Sequence, residues 1–208
     1  MKVPIISVIM STYNEEENYL REAIESVLTQ TYSDFEFLIV LDNPSNAMIR
    51  MVVQQYANQD ERIRVLPNDK NMGLTHSLNR ALRCVRGQFV SRMDADDRMG
   101  QNCLKRELEM IVAEELDLVS ASKINMDEQG KLKGKYINSV SPEQMKWLLP
   151  YDNMVNHPTV LVRTKSILRE GGYRNIISCE DYDLWIRMLC HGCRMKVIPE
   201  VLLFYRRR

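Results

Sequence analysis

The sequence predicts an α/β protein built on a mostly parallel central sheet. In the first half of the 208 residues, short apolar segments alternate with segments whose apolar residues recur at helical spacing. This alternation is typical of parallel strands joined by crossover helices. Polar clusters follow three of the predicted strands. Because ligands of open α/β sheets bind beyond the carboxyl ends of the strands, these clusters predict one shared crevice.

The first half of the chain contains the predicted parallel strands. The first strand covers residues 5–10, and the helix after it begins at Asn14, with Glu17 three positions on in the manner of a capping box. Gly87 is predicted to end the third helix. The further elements of this half, strand and helix in turn, are predicted at residues 35–41, 47–57, 63–66, 73–84 and 89–93.

The second half of the chain has a mixed pattern. After a helix at 101–113 and a strand at 118–125, the turn signal at residues 127–130 predicts a hairpin. Further elements are predicted at residues 133–137, 143–149, 159–163, 181–189 and 201–204. No repeat, low-complexity segment or linker divides the chain. We therefore expect a single domain over residues 1–208, with two lobes that cover residues 1–97 and 98–208.

The composition argues against several classes of protein. Lysine plus arginine and aspartate plus glutamate both number 28, so the net charge is zero and no overall field attracts nucleic acid. No apolar run approaches the roughly 18 residues of a membrane helix, and the amino terminus lacks a signal-peptide pattern, so we expect a cytoplasmic protein. The five cysteines are expected to be reduced. Cys190 and Cys193 lack the second pair that a closed zinc site requires.

An acidic cluster follows the predicted strand at 89–93. It places three carboxylates within the four residues Asp94-Ala95-Asp96-Asp97. Residues two apart in an extended segment face the same way, so Asp94 and Asp96 can share one face. Carboxylates that hold Mg²⁺ or Mn²⁺ are typically supplemented by phosphate oxygens of a bound substrate. A solvated acidic turn is the alternative interpretation of so short a motif.

Six motifs, taken in chain order, resemble those of a family 2 glycosyltransferase, including the bacterial enzymes of polysaccharide, lipopolysaccharide and capsule synthesis. They are Ser7-Val8-Ile9-Met10-Ser11-Thr12-Tyr13-Asn14, Ser26-Val27-Leu28-Thr29-Gln30-Thr31-Tyr32, Asn71-Met72-Gly73-Leu74, Arg92-Met93-Asp94-Ala95-Asp96-Asp97, Asn156-His157-Pro158-Thr159 and Glu180-Asp181-Tyr182-Asp183-Leu184-Trp185. The resemblance implies a GT-A fold, in which a Rossmann-like nucleotide-binding half with a mostly parallel sheet joins a smaller, mixed acceptor-side lobe. It also implies transfer of a sugar from a nucleotide-sugar donor to an acceptor hydroxyl, with inversion at the anomeric carbon.

The resemblance assigns a metal site and a catalytic base. It implies a divalent cation, Mn²⁺ or Mg²⁺, held by Asp96, with Asp94 beside it or on the ribose, and acting as a Lewis acid on the leaving diphosphate. Inversion requires a base that takes the proton of the acceptor hydroxyl, and Asp181 matches the family's catalytic carboxylate. Glu180 is a second candidate for the base. A helix N-cap is the structural alternative for Asp181.

Four residues besides Asp94 are implied to bind the nucleotide. Tyr13 matches the family's base-contacting position and can stack on a pyrimidine, with a core tyrosine as the alternative. Ser11 belongs to the same motif. Asp42 would accept a hydrogen bond from the base. His157 is expected to line the donor or diphosphate site, with a structural histidine as the alternative.

The chain departs from the family pattern near the donor. Leu41 and Leu78 stand where many relatives carry an acid and an arginine, and Asn43-Pro44-Ser45-Asn46 replaces a Gly-Ser-Thr-Asp-like turn. The pyrophosphate is therefore expected to depend on the metal or on Arg92. A UDP-sugar is the favoured donor, while the base and the sugar stay open.

The resemblance also implies the partners, which are a nucleotide-sugar donor and a saccharide or lipid-linked saccharide acceptor. The basic tail at residues 205–208 is a candidate for contact with anionic lipid at the inner membrane surface. A frayed, charged terminus is the favoured alternative. Relatives often continue past the point where this sequence ends, at Arg208, so part of the acceptor or membrane-contacting region is expected to lie outside this chain.

Three other functions share parts of the pattern. A haloacid-dehalogenase-like phosphatase also uses Asp-x-Asp, but this chain has Arg98 where that motif carries Thr or Val. A nucleotidyltransferase acting on sugar phosphates needs a Gly-rich loop with a lysine, which residues 11–14 lack. A catalytically silent nucleotide-sugar-binding protein is the third alternative.

Overall fold

The first half of the protein folds into four parallel strands joined by three helices, in a computed structural model that describes residues 3–207. The elements are β1 (Ile6–Thr12), α1 (Glu17–Leu28), β2 (Phe35–Leu41), α2 (Ala47–Gln59), β3 (Ile63–Pro67), α3 (Leu74–Leu82) and β4 (Phe89–Asp94). The strands lie in the order β3-β2-β1-β4, and each neighbouring pair is parallel. The predicted parallel sheet of this half is confirmed.

The second half extends the same sheet with mixed pairing. Its elements are β5 (Arg98–Met99), α4 (Cys103–Ala113), β6 (Leu118–Met126), β7 (Leu132–Tyr136), α5 (Pro142–Leu148), a 3-10 turn (His157–Thr159), β8 (Leu161–Arg163), α6 (Thr164–Arg169), α7 (Glu180–Cys190) and β9 (Met195–Arg206). β8 pairs antiparallel with β4, and the sheet continues in the order β8-β6-β9-β5, with β7 beside the second half of β6. Within the described residues, nine strands thus form one sheet, and the predicted mixed lobe is confirmed.

Helices cover both faces of the sheet. α1, α2 and α4 pack on one face, and α3, α5, α6 and α7 pack on the other. The longest of them, α2, has 13 residues, and none of the helices in the described part of the chain is long and apolar enough to cross a membrane. Every residue of β2 is buried, as expected for a parallel strand covered on both faces. The carboxyl ends of the strands are therefore the edge at which polar side chains can meet a ligand.

The prediction that the first helix begins at Asn14 is wrong. α1 begins at Glu17, and its N-cap residue Glu16 makes no side-chain capping hydrogen bond. The amide oxygen of Asn14 instead accepts hydrogen bonds from the side-chain amides of Asn43 and Asn46, over 2.8 and 3.2 Å. Asn14 therefore joins the loop after β1 to the loop after β2.

Two other predicted boundaries differ from the structure. α3 ends at Leu82, well before Gly87. A Cβ atom at Gly87 would lie 2.6 Å from the backbone nitrogen of Ser7, so glycine is required there for close packing of two chain segments and not to end a helix. The strand predicted at 159–163 begins at Leu161, because the residues before it form the 3-10 turn.

Candidate active site

The carboxyl ends of β1, β2 and β4 meet in one crevice. Ser11 lies beside Asp94 in the parallel register of β1 and β4, and Thr12 lies beside Leu41 in that of β1 and β2. Two cavities open there, with volumes of about 390 and 860 Å³. Both cavities are lined by Asp94 and Asp96. The structure thus brings the predicted polar clusters together around the acidic cluster.

The small cavity lies beside the ends of β1 and β2. Its lining residues are Ser11, Tyr13, Glu15, Asp42, Asn71, Gly73, Leu74, Asp94, Ala95 and Asp96. The side chain of Tyr13 is 42% exposed, which excludes a core tyrosine. Glu15 orders this loop, because its Oε2 accepts hydrogen bonds from the hydroxyl of Thr12 and the backbone N–H of Tyr13, over 2.5 and 2.8 Å. An exposed aromatic ring on such a loop is suited to stack on a planar ligand.

Asp42 is a buried carboxylate that holds the loop before α3. Its Oδ1 accepts hydrogen bonds from the side-chain amide of Asn68 over 2.7 Å and from the backbone N–H of Met72 over 2.8 Å. Its Oδ2 accepts one from the backbone N–H of Gly73 over 2.9 Å. Gly73 has a φ of 87°, which residues with a Cβ rarely adopt. A carboxylate offers about four lone pairs, so about one, on Oδ2, remains for a ligand.

The large cavity is bordered by both halves of the protein. Its lining residues are Arg92, Asp94, Asp96, Lys123, Asn125, Tyr136, Asn153, Val155, Asn156, His157, Pro158, Asp181, Tyr205, Arg206 and Arg207. Of the two candidates for the base, Asp181 lines this cavity, whereas Glu180 lines neither of the two cavities. The structure therefore separates two carboxylates that are adjacent in sequence.

Asp181 lies in the first turn of α7, and the N-cap residue of this helix is Cys179, so an N-cap role for Asp181 is wrong. The Oδ2 of Asp181 accepts a hydrogen bond from the side-chain amide of Asn153 over 3.2 Å, and its Oδ1 accepts one from the backbone N–H of Tyr182 over 2.7 Å. The hydroxyl of Tyr182 donates to the carbonyl oxygen of Leu149 over 2.6 Å. The start of α7 and the loop after α5 together hold this carboxylate at the cavity wall.

His157 is a buried, neutral imidazole at the edge of the large cavity. Burial, followed by the positive charge of Arg92, holds the pKa of His157 well below its usual range. Its Nε2 shares a hydrogen bond of 2.9 Å with the hydroxyl of Tyr173, and its ring makes a T-shaped contact with Trp185. Such a histidine can offer its other ring nitrogen to a ligand, but it supplies no positive charge to balance a phosphate.

Arg92 is buried against Asp94, with 4% of its side chain exposed. Its Nη1 donates a hydrogen bond to the carboxylate of Asp94. Arg92 also lines the large cavity, and no described residue hydrogen-bonds to its Nε. Its support of the pyrophosphate therefore stays a prediction. Arg92 positions the carboxylate that both cavities share.

Asp97, the last acid of the cluster, is buried as well. Its Oδ1 accepts a hydrogen bond from the backbone N–H of Arg206 over 2.7 Å, whereas no described residue hydrogen-bonds to its Oδ2. Burial, followed by the negative charge of Asp94, raises the pKa of Asp97 to about 8. Ionisation of Asp97 is thus disfavoured while Asp94 is charged, and a cation beside the cluster would relieve this repulsion.

Arg206 holds the acidic cluster from the end of β9. It is 4% exposed, and its guanidinium donates hydrogen bonds to the carbonyl oxygen of Asp96 over 2.8 Å and to the carboxylate of Glu22 over 2.6 Å. The guanidinium also lies 4.0 Å from the ring centroid of Tyr19, and it donates to two carbonyl oxygens in the turn between β6 and β7. The loop with the acidic motif is therefore anchored by a residue outside that motif.

Most of the described part of the basic tail is neither a frayed terminus nor a lipid-facing segment, because Tyr205 and Arg206 belong to β9. Arg206 is buried, so its assignment to a lipid-facing tail is wrong. Tyr205 and Arg207 line the large cavity, and Arg207 is exposed. Arg208 lies outside the described residues.

The side chains where the two cavities meet could supply some, but not all, of the ligands of a hard divalent cation. Asp94 and Asp96 offer carboxylate oxygens, which Mg²⁺ and Mn²⁺ prefer as ligands. Within residues 3–207, no three His, Cys, Asp or Glu side chains are grouped so that they could hold a metal ion. Phosphate oxygens of a substrate would therefore complete the coordination, as is usual for Mg²⁺.

Comparison with known proteins gives the family. The family model described as "Glycosyl transferase family 2" matches residues 7–172. This chain belongs to glycosyl transferase family 2. The uncharacterized glycosyltransferase MJ1057 of Methanocaldococcus jannaschii is 34% identical, over 99% of this chain and 72% of its own length. The O-antigen biosynthesis glycosyltransferase WbnJ of Escherichia coli is 30% identical, over 97% of this chain and 79% of its own.

Solved structures share the fold of this family 2 chain. TarS of S. aureus, solved with UDP-GlcNAc, superposes with a TM-score of 0.80 at 22% identity, over 98% of this chain and 59% of the TarS chain. The mannosyltransferase PcManGT of Pyrobaculum calidifontis, solved with GDP-Man and Mn²⁺, superposes with a TM-score of 0.76 at 19% identity, over 98% and 57%. This chain thus spans less than two thirds of either structure. The likeness confirms the predicted GT-A fold.

Some residues of this family 2 site lie outside the six family motifs. Asn153 holds Asp181, and Lys123 and Arg207 line the large cavity. For Lys123 a signal exists, because polar and apolar residues alternate at the end of β6 and place Lys123 and Asn125 on one face. Asn153 lies in a loop that has no such periodicity.

Proposed function

We propose that this family 2 glycosyltransferase moves a sugar from a UDP-sugar to a hydroxyl of a saccharide or lipid-linked acceptor, with inversion at the anomeric carbon. The observation that carries the proposal is that Asp94 and Asp96 border both cavities. A nucleotide in the small cavity would direct its diphosphate across these carboxylates into the large cavity, where Asp181 lies. The likeness to WbnJ, an O-antigen biosynthesis enzyme by name, supports a role in cell-surface polysaccharide synthesis.

The donor nucleotide would lie in the small cavity. Tyr13 would stack on the base, and the remaining lone pair on Oδ2 of Asp42 would accept a hydrogen bond from it. Ser11 lies at the same wall and offers a hydroxyl to the nucleotide. The ligands of the two solved structures, UDP-GlcNAc and GDP-Man, carry different bases. Both UDP and GDP are therefore tested, with UDP first.

Asp96 and Asp94 would hold Mn²⁺ or Mg²⁺ together with oxygens of the diphosphate. When bound, the cation neutralises the negative charge that develops on the leaving diphosphate. Arg92 keeps the carboxylate of Asp94 in place, and Arg206 keeps the backbone of Asp96 in place. Because these groups are held before the substrate arrives, little reorganisation is needed during the reaction.

Asp181 is the proposed base. It would take the proton of the acceptor hydroxyl as that oxygen bonds to the anomeric carbon and the bond to the diphosphate breaks. The hydrogen bonds from Asn153 and from the backbone of Tyr182 leave at least one lone pair on each carboxylate oxygen for this proton. His157, neutral and hydrogen-bonded to Tyr173, would shape the wall near the donor. Glu180 is the second candidate to test.

The two lobes would have different roles in binding the substrates. Every lining residue of the small cavity precedes Asp97, whereas most lining residues of the large cavity follow it. We therefore assign donor binding to residues 1–97, and the acceptor side with its base to residues 98–208.

Product analysis tests the reaction class. The protein is incubated with Mn²⁺ and one sugar nucleotide at a time, and released nucleotides and phosphates are separated by ion-exchange chromatography. Free UDP from a UDP-sugar is expected, and Asp181→Asn should release far less. In parallel incubations, orthophosphate released from a sugar phosphate would indicate a phosphatase, and pyrophosphate released from UTP and a sugar 1-phosphate would indicate a nucleotidyltransferase. Binding without any product in all incubations would indicate a catalytically silent protein.

A further inference from the structure

Two positively charged side chains line the part of the large cavity that the second half of the chain provides. Lys123 on β6 is half-buried, and Arg207 directly after β9 is exposed. The two other arginines of the cavity are engaged, since Arg92 pairs with Asp94 and Arg206 pairs with Glu22. Among residues 3–207, no carboxylate forms an ion pair with either Lys123 or Arg207.

The surroundings of Lys123 hold its amine at the cavity wall. Its Nζ lies 4.2 Å from the ring centroid of Tyr205 and 5.9 Å from that of Tyr136. Burial lowers the pKa of this amine and the positive charge of Arg207 adds to that change, while the negative charges of Asp97 and Asp94 oppose it. Lys123 and Arg207 line the same cavity, so an anionic group bound beside them would form ion pairs with both.

Neutral hydrogen-bonding groups lie beside the two cations. Asn125 shares the cavity face of β6 with Lys123 and is the register partner of Tyr205. Tyr136, the register partner of Lys123 on β7, lines the same cavity. An amide and two phenol hydroxyls can donate to the remaining oxygens of a phosphate or a carboxylate.

We propose that Lys123 and Arg207 form an anion subsite that binds a phosphate or carboxylate group of a substrate. The proposal rests on the proposed function, since it takes the large cavity as the place where donor sugar and acceptor meet. The anion has two sources, the diphosphate of the donor or a charged group on the acceptor saccharide. A uronic acid or a sugar phosphate would supply the second.

The test uses charge removal with little change of shape. Lys123→Met and Arg207→Met keep an apolar stem, and Lys105→Met on the exposed face of α4 is the matched control. UDP is compared with uridine, and glucose 6-phosphate and glucuronate are compared with glucose, by calorimetry and ligand-observed NMR. Thermal melting of each variant shows that it is folded, and Lys123→Arg should restore binding.

Each source of the anion gives its own pattern. If the donor diphosphate occupies the subsite, Lys123→Met weakens UDP binding by about ten- to hundredfold and leaves uridine unchanged. If the acceptor supplies the anion, UDP is unchanged, and the variant loses binding of glucose 6-phosphate or glucuronate but not of glucose. Arg207→Met should show the same pattern with a smaller factor, because Arg207 is more exposed. Either pattern supports the subsite, and unchanged affinities for UDP and both anionic sugars in both variants would overturn it.

Failure of the proposed function would look different. In that case the unaltered protein would release no free nucleotide from any sugar nucleotide, yet Lys123→Met would still reduce the binding of UDP or of an anionic sugar. The anion subsite would then stand while the transferase assignment falls.

Discussion

The side-chain amide of Asn153 donates a hydrogen bond of 3.2 Å to a carboxylate oxygen of Asp181. It joins the loop after α5 to the first turn of α7. Because an amide carries no net charge, it orients the carboxylate without competing for the role of proton acceptor. Orientation and proton transfer at Asp181 can therefore be separated by mutation.

Asp181→Asn should cut turnover by about a hundredfold to ten-thousandfold while UDP affinity stays nearly unchanged, because a general base acts mainly in the transition state. Asn153→Ala should lower turnover by a smaller factor, since it removes one orienting hydrogen bond and keeps the carboxylate. Release of free UDP and a nucleotide titration are measured on the same preparations. Near-normal turnover of Asp181→Asn would remove Asp181 as the base and make Glu180→Gln the next variant.

Asp96→Ala should abolish the increase in UDP affinity that Mn²⁺ produces in the unaltered protein. The reason is that a carboxylate and a diphosphate repel each other unless a cation lies between them. Calorimetry with and without Mn²⁺ measures the increase, and uridine, which has no diphosphate, should show none. A variant that keeps the full increase would contradict the metal assignment.

Tyr13→Ala should weaken nucleotide binding by about 1 to 3 kcal/mol, the range for stacking of a base on an aromatic side chain. Tyr13→Phe keeps the ring and should keep most of the affinity. Because the side chain is 42% exposed, neither variant should lower the melting temperature much. If UDP binds Tyr13→Ala as tightly as the unaltered protein, the base does not stack on this residue.

Arg206→Met should lower the free energy of unfolding by about 2 to 4 kcal/mol, because several carbonyl oxygens and Glu22 lose a charged donor. Arg207→Met changes the next residue in the same way at an exposed position, and its effect should stay within about 0.5 kcal/mol. Urea denaturation of both variants gives the comparison. Equal, small losses would show that the buried guanidinium does not anchor the acidic loop.

Glu107 on α4 predicts a pH dependence of stability. The residue is fully buried, and its carboxyl oxygens make no hydrogen bond of good geometry within residues 3–207. Burial raises the pKa of Glu107 well above its usual value, and the thiol of Cys103 offsets this only in part. The folded protein therefore keeps this group protonated, while the unfolded chain ionises it above a pH of about 4.3.

The direction of the pH dependence of stability follows from this difference in proton binding. As pH rises above the unfolded pKa, the folded state binds one more proton than the unfolded chain, so stability falls by about 1.4 kcal/mol per pH unit until the folded pKa is reached. Glu107→Gln removes the ionisation and keeps the shape. Its stability relative to the unaltered protein should rise between pH 4 and 7 in denaturant titrations. A difference that does not change with pH would contradict the buried, protonated state.

Much of the fold could be predicted because it depends on local periodicity. The bounds of β2, residues 35–41, agree with the prediction, since an apolar run buried on both faces is distinctive. The start of α1 could not be predicted from the same kind of signal. Asn14 and Glu17 match a capping box locally, but the side chain of Asn14 bonds to the loop after β2 instead.

The candidate site was predictable where function depends on strand ends and short motifs. Tyr13, Asp94, Asp96 and Asp181 each lie in such a motif, and the structure places them all at the two cavities. Arg206 was assigned to a surface tail because its polar partners come from distant parts of the chain. Charge composition predicts a solvated residue, whereas a buried guanidinium requires acceptors that only the folded chain assembles.

The contact between Arg206 and Asp96 also bears on how the protein matures during synthesis. The two residues are 110 positions apart, so the ribosome has to add all of that chain after the acidic motif before the guanidinium is available. A nascent chain that already carries the full acidic motif therefore still lacks the hydrogen bond from Arg206 to the backbone of Asp96. We expect the proposed metal site to become ordered late in translation, and shorter fragments that retain the motif to bind UDP more weakly than the full chain.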